Sequence, residues 1–472
     1  MISMNLLAGI ILIGGFFLLM MFKVPVTFAM LISTFLSMLC IPGTNPTTMV
    51  RMMIDGVNNF TMLAIPFFIV MGEIMAAGEI SDKIVDLANL AVGRFRGGLA
   101  YVNCLDSMFF GGISGSAVAD VSSLGSVVIP MMEKQGYDRE FTVGLTVTTA
   151  CQGVLIPPSH NMVIYALAAG GGVSIGQLFY AGFVPGIGLG LGFMLICFFL
   201  GKEYNFPKGE KMFKNDKVRW IRFRGHDKNK SAFYAKGNPE SWFVLGTPAF
   251  DIEMGKAMRT LCVAILPMFT LIIILVGTGA GVFTATESSA VACFYTFILT
   301  YFIFRTDKIR NFGKVIRNSL KTLAVVLTLI ASAKAFAYMM TRLRIPAAIT
   351  NGLIGVTDNP VALLLIINVI LLVLGCFMDM APLIMIMTPI LLPVVTELGM
   401  STVHFGIVLI FNLAIGLCTP PVGSALFVGC AVGKTTIEAA SKKMLPLFAV
   451  MLVGLMLVTY IPFFLRPALF GY

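Results

Sequence analysis

Gly153-Val-Leu-Ile-Pro157-Pro158-Ser159 and Gly416-Leu-Cys-Thr-Pro420-Pro421 are the two stretches that decide the fold. Each lies inside an apolar run long enough to span a bilayer, residues 140–169 and 403–432. Proline removes a backbone donor and its ring clashes with the preceding turn. Two in tandem predict a helix broken in mid-span, with carbonyls left without partners. The breaks are 263 positions apart (Pro157 against Pro420), and the register extends outward without a gap. The same shift lays Gly112 on Gly375, Pro130 on Pro393, Gly136 on Gly399 and Gly153 on Gly416. After two extra residues near Gly170 to Gly172, Pro185 meets Pro446.

Ahead of each break lies a stretch that is apolar at its ends and polar at its centre. Residues 98–132 carry Gly111-Gly112-Ile113-Ser114-Gly115-Ser116, and residues 361–398 carry Met378-Asp379-Met380-Ala381-Pro382. Irregular backbone at membrane depth survives only where it is buried in protein or lines a wet cavity. Both stretches therefore read as re-entrant hairpins, two arms with a polar turn between them. Arg94, Arg96, Lys134 and Arg139 flank the first hairpin. Thr357-Asp358-Asn359 and Thr396-Glu397-Leu398 flank the second, without Lys or Arg. Positive charge collects in cytoplasmic loops, so the first hairpin opens to the cytoplasm and the second to the outside. The expectation is an all-α polytopic membrane protein built of two inverted structural repeats. Paired broken helices in such repeats point to a mid-membrane binding site in a secondary transporter.

The rest of the chain fits this frame. Of 472 residues, 58% are hydrophobic and 12% charged, and the mean hydropathy is +0.92. A soluble domain carries about 25% charged residues. Full spans are predicted at 4–22, 24–41, 60–78, 140–169, 176–200, 257–277, 284–304, 322–340, 403–432 and 446–465. Stretches 80–94 and 345–357 read as short helices at the interface or crossing it. The first run lacks a basic leader and a small-residue cleavage site, so it reads as a retained span. Residues 1–201 form the first repeat and 257–472 the second. Between them, 202–256 is a basic insertion with twelve Lys/Arg and seven Asp/Glu, predicted to be cytoplasmic. The net charge of +10 is assigned to such loops, not to nucleic-acid binding. The nine cysteines are scattered singly, as small buried hydrophobes are.

Chemistry is expected at the breaks and hairpin turns. A hard cation such as Na⁺ takes oxygen ligands, which unwound carbonyls and half-helix ends supply. Ser159 and Thr419 add hydroxyls, and the turns bring Ser114, Ser116 and Asp379 to the same depth. A carboxylate inside an apolar run marks a functional position by default, and Asp379 also suits the N-cap of the following arm. Asp120 is balanced between packing against Ser or Thr and ion binding, and Asp106 between ion binding and an interfacial position. Glu287 suits a helix N-terminus. His160 follows the first proline pair, where a structural role is favoured over contact with substrate or a proton. Lys334 lies within a span and is open to three readings: snorkelling, an anionic substrate, or another subunit. No Walker motif, HExxH or Ser-His-Asp arrangement is present, so an enzyme is not expected.

Ser114-Gly-Ser-Ala-Val-Ala-Asp120, with Gly125 and Ile129-Pro130-Met131-Met132, resembles the first-hairpin motif of the large membrane subunit of tripartite ATP-independent periplasmic (TRAP) transporters. So do Gly136-Tyr137, Ile156-Pro157-Pro158-Ser159, Gly281-Val-Phe-Thr-Ala-Thr-Glu287, Asp379-Met-Ala-Pro382, and Asn412 through Thr419-Pro420-Pro421-Val422-Gly423. The resemblance runs over nearly the whole chain. It implies an elevator-type fold in the bacterial inner membrane, with hairpins and broken helices in a moving unit and outer spans as scaffold. It implies sodium-driven, binding-protein-dependent import of small organic anions, carboxylates such as C4-dicarboxylates or sugar acids. The implied partners are a small four-helix membrane subunit and a periplasmic substrate-binding protein. The implied ion and substrate positions are Ser114, Gly115, Ser116, Pro157, Pro158, Ser159, Asp379, Met380, Thr419, Pro420 and Pro421, with Na⁺ at Ser114, Ser116, Asp379 and Thr419. His160-Asn161, Ala285 and the long insertion depart from the family pattern. The alternative is a self-sufficient two-hairpin carboxylate symporter that needs no binding protein.

Overall fold

The computed structural model describes residues 4–42, 44–78, 80–93, 95–170, 172–204, 206–207, 222–223, 243–245, 252–307, 309–355, 357, 359–421 and 423–464. Arg94, Asp358 and most of the 202–256 insertion lie outside the described residues. Within the insertion, β1 (Arg222–Phe223), β2 (Phe243–Leu245) and β3 (Ile252–Glu253) pair antiparallel in that order. The other described elements are helices, eight of them long and apolar enough to cross a bilayer. The outward faces are apolar, as with Leu18, Leu195 and Val325. The molecule is a polytopic helical membrane protein.

The first span is α1 (Met4–Met21) and the second α2 (Val26–Leu39). Then comes α3 (Pro46–Val57), which the apolar runs did not predict because Arg51 and Asp55 interrupt it. Its start is written locally: the Asn45 side chain accepts from Thr47 N, and Pro46 occupies the first turn. The third span is α4 (Ala64–Ala77), entered through a 3-10 turn at Phe60–Leu63, and α5 (Ile80–Val92) is short, as expected. After the insertion come α11 (Met254–Gly279), α12 (Ala285–Ile298, continued by a π-helical turn at Leu299–Phe304), α13 (Phe312–Arg342) and the short α14 (Ile345–Ile354). Helix α13 starts at Phe312 rather than 322. Its 31 residues make about 46 Å, more than the roughly 30 Å hydrocarbon core. The extra turns carry Lys314, Arg317 and Lys321, so hydropathy marked only the part in lipid.

The segments around the proline pairs are α6 (Gly98–Ser114), α7 (Ala117–Lys134), α8 (Arg139–Gly153), α9 (His160–Ala168) and α10 (Ile175–Glu203). Their counterparts are α15 (Pro360–Gly375), α16 (Met380–Glu397), α17 (Thr402–Cys418), α18 (Ser424–Gly433) and α19 (Ile437–Phe464). Identical chain reversals follow α7 and α16. Gly136, at φ +93°, donates its N–H to Glu133 O, and Tyr137 donates to Met132 O. Gly399, at φ +78°, donates to Thr396 O, and Met400 donates to Val395 O. A left-handed residue of this kind closes a helix by satisfying its last carbonyls. Asp138 then caps α8 through Phe141 N at 2.8 Å, and Ser401 caps α17 through His404 N at 3.1 Å. Every pair in this series is separated by 263 positions.

The core is made by the helices that lead to the breaks. Every residue from Phe141 to Gly153 and from His404 to Cys418 is buried. Helices α6 and α7 pack on α8, and α15 and α16 pack on α17. The arms also cross over, α7 onto α18 and α16 onto α9. Glycines let the backbones meet. Gly111 faces Gly153, and a Cβ on Gly416 would lie 2.7 Å from Gly375 Cα. Helix α10 has two faces. Val184, Leu191 and Phe199 are exposed, while Gly182 and Gly186 pack on Leu155 and Ile156 at the first break.

Candidate functional site

Two clusters form, one at each break. In the first, α6 ends at Ser114, Gly115 turns the chain at φ +62°, and Ser116 caps α7 through Ala119 N at 3.4 Å. A Cβ on Gly115 would lie 2.7 Å from Pro158 O and 3.2 Å from Ser159 Cα. Only glycine gives both the left-handed turn and this approach. The hairpin turn therefore rests directly on Pro157, Pro158 and Ser159. Ser114 Oγ donates to Asp120 and accepts from Ser116 N–H at 3.1 Å. Asp120 is fully buried, and its other oxygen has no hydrogen-bond partner among the described residues. The same holds for the buried Ser159 hydroxyl.

In the second cluster, Asp379 stands at the N-cap position of α16, but its carboxylate makes no capping bond. The expected cap is absent. Asp379 accepts instead from Ser424 Oγ at 3.3 Å, the first residue after the second break. Met380 behind it is buried, whereas Asp379 and Pro421 are exposed. Thr419 Oγ1 donates to Ile415 O at 2.7 Å. Pro420 and Pro421 follow, and both Pro–Pro bonds of the molecule are cis.

The prolines act on particular carbonyls. Helical geometry offers a carbonyl the N–H three or four residues on. For Val154 those residues are Pro157 and Pro158, and for Leu417 they are Pro420 and Pro421. Both carbonyls thus lose every helical donor, again 263 positions apart. The two helices that lead to the breaks lie against each other, α8 on α17.

The expected residues therefore divide. Ser114, Gly115, Ser116, Pro157, Pro158 and Ser159 belong to the first cluster. Asp379, Met380, Thr419, Pro420 and Pro421 belong to the second. Sequence reading missed Ser424, whose only signal was a hydroxyl just past the second proline pair. It also missed the buried pairs that brace the arms, Asn103 with Thr149 and Asn368 with Asn412. Glu287 does sit at a helix start: it and Thr284 form a reciprocal capping box on α12. The donor set at the breaks is hydroxyl, carbonyl and carboxylate oxygen. Oxygen donors of this kind suit a hard cation, and Asp120 and Ser159 each keep a buried oxygen without a hydrogen-bond partner among the described residues. Among the described residues no three His, Cys, Asp or Glu converge as a transition-metal site would require.

The family model for the DctM component of the tripartite ATP-independent periplasmic transporter matches residues 13–464. The chain belongs to the TRAP large-permease family. TRAP large permeases similar to it include the C4-dicarboxylate permease protein DctM of Pseudomonas aeruginosa, 34% identical, covering 86% of this chain and 85% of that one. The sialic acid permease protein SiaM of Vibrio cholerae is 31% identical, covering 95% and 96%. An uncharacterized protein of Salmonella typhimurium, YgiK, is 36% identical over 98% of both chains. In fold alone, the chain is similar to the YdaH transporter of Alcanivorax borkumensis. The TM-score is 0.54 at 14% identity, over 89% of this chain and 90% of that one. As a TRAP large permease with eight apolar helices of spanning length, the protein is a multi-pass protein of the inner membrane.

Proposed function

We propose that this chain is the substrate-translocating subunit of a sodium-coupled, binding-protein-dependent importer of small organic anions, carboxylates by class. The observation that carries the reading is the pair of matched breaks. Each holds a hairpin turn against an unwound, carbonyl-rich segment, with the same reversals, caps and orphaned carbonyls 263 positions apart. Two such units in inverted orientation, residues 1–201 and 257–472, place a site at mid-membrane where each side reaches it in turn. Sodium supplies positive charge at the breaks. Asp120, Ser159, Asp379 and the Val154 and Leu417 carbonyls are the groups that would hold it there, one position per cluster. The carboxylate class rests on the dicarboxylate and sialic acid named for relatives. A small membrane subunit widening the scaffold and a periplasmic binding protein delivering substrate complete the proposed assembly. The chain's part is transport, not catalysis.

The test is uptake of succinate and sialic acid into vesicles holding the purified complex, with and without its binding protein. Uptake is expected to require both the binding protein and an inward sodium gradient. Undiminished uptake on a proton gradient alone overturns the coupling, and full uptake without the binding protein favours a self-sufficient symporter.

A further inference from the structure

One charge is not absorbed by this reading. Between Lys321 and Arg342, a stretch of about 31 Å at helical rise, α13 carries a single charged side chain, Lys334. It lies about 12 Å below the Arg342 end, inside a hydrocarbon core of about 30 Å. An ionisable side chain there faces a cavity or a partner group. From Leu329 to Met340 the helix is enclosed, and Lys334 is its only exposed residue. The base of its stem packs on α3, where a Cβ on Gly56 would lie 2.8 Å from Lys334 Cβ. Among the described residues Lys334 has no ion pair, not even with the adjacent Asp55. One and two turns above it on the same face stand Tyr338 and Arg342, and Arg342 donates to the Tyr338 hydroxyl at 3.3 Å. A polar, cationic row thus descends from the end of the span to its middle.

The charge balance of the breaks says what such a row is for. Residues 98–132, 141–168, 360–396 and 402–433 hold the carboxylates Asp106, Asp120 and Asp379 but no Lys or Arg. An anion brought to the hairpin turns meets acidic groups and bound cation there, and no Lys or Arg of the hairpin units. Helix α13 borders those units, since it packs against the second-hairpin arm α16. We infer that Lys334 is a substrate-binding residue of the static bundle, pairing with the carboxylate of the transported anion as the hairpin unit passes it. Tyr338 lies above it on the route inward. This inference rests on the proposed anion transport and names the group that recognises the anion's charge.

Two measurements test it. Cysteine at Lys334, in a chain otherwise free of cysteine, is expected to react with a water-soluble, negatively charged thiosulfonate reagent, and succinate or sialic acid to slow that reaction. Absence of labelling places the side chain in lipid or against a partner subunit and overturns the inference, whatever the substrate proves to be. In the assembled complex, Lys334→Gln is expected to raise the half-saturating anion concentration about tenfold or more. Lys334→Arg should restore most of the loss, and the sodium dependence should stay put. An unchanged half-saturation, or loss of the small subunit from purified K334Q complex, overturns it. Failure of the wild-type complex to take up either anion strikes the proposed function instead, and the labelling result still decides for or against Lys334.

Discussion

Asp379 occupies the position from which a carboxylate would cap α16, yet it turns away from the helix to accept from Ser424 across the second break. A capping role would be local and replaceable, whereas this bond ties the hairpin turn to the broken helix. The turn also leaves Asp379 exposed, open to an ion or to substrate. Asp379→Asn keeps the shape and can still accept from Ser424, but removes the charge. The expected outcome is at least about a tenfold loss of sodium-driven uptake, with unchanged yield and melting behaviour of the purified protein. Normal uptake with normal sodium dependence in that variant would reduce Asp379 to a structural link. Asp379 was legible as an anomaly, a carboxylate in an apolar run. Its partner was not, because Ser424 is 45 positions away and only packing of α15 and α16 on α17 brings them together.

At the scale of elements, the hairpins were visible because glycine, serine and aspartate interrupt apolar runs, and the arms fall close to the predicted limits. The arms α7 and α16 are 18 residues each, about 27 Å, longer than half a bilayer needs. What keeps them from lipid differs. Helix α16 is buried continuously from Pro382 to Thr388 and again at Ile390, Leu391, Val394 and Val395, whereas α7 exposes Ala119, Ser122 and Ser126 along one face. The orientation of the two hairpins is open to direct labelling. Gly136 and Gly399 have positive φ, so a cysteine there would strain the turn. Lys134 and Glu397, 263 positions apart, are both exposed and close the arms. Single cysteines at these two positions are expected to react from the cytoplasm and the periplasm respectively. Reaction of both from one side removes the inverted repeat. Helix α3 shows the limit of hydropathy: a short amphipathic helix carries no long apolar run, and only its asparagine cap and proline announced it.

For the whole molecule, the question is which parts move together. Helix α10 has an apolar outer face, but its glycine face is seated on the first break through Gly182 and Gly186. A unit that carries the breaks therefore carries α10 with it. At its outer end α10 approaches α11, where a Cβ on Gly176 would lie 3.8 Å from Thr278 Cβ. That separation suits a disulfide. An elevator requires α10 to slide past α11 by several ångströms, on the order of one helical turn. The double variant Gly176→Cys, Thr278→Cys is expected to transport when reduced and to stop when oxidised. Undiminished transport by quantitatively cross-linked protein would mean that no such sliding occurs.

The sequence by itself determined what depends on neighbours along the chain. Apolar run length fixes which segments enter a bilayer. A proline pair removes two donors wherever it stands, so the orphaned carbonyls of Val154 and Leu417 follow from four residues. The 263-position match was readable because glycine and proline are held by backbone geometry, which resists drift in side-chain identity. The tertiary structure decided what depends on neighbours in space. It sent the Asp379 carboxylate to Ser424 and the Ser114 hydroxyl to Asp120, seated Gly115 on Pro158, and left Lys334 as the one exposed residue between Leu329 and Met340. A charge in an apolar run is visible in any sequence. Whether it meets lipid, protein or a cavity is set by helices hundreds of positions away, here Gly56 against Lys334.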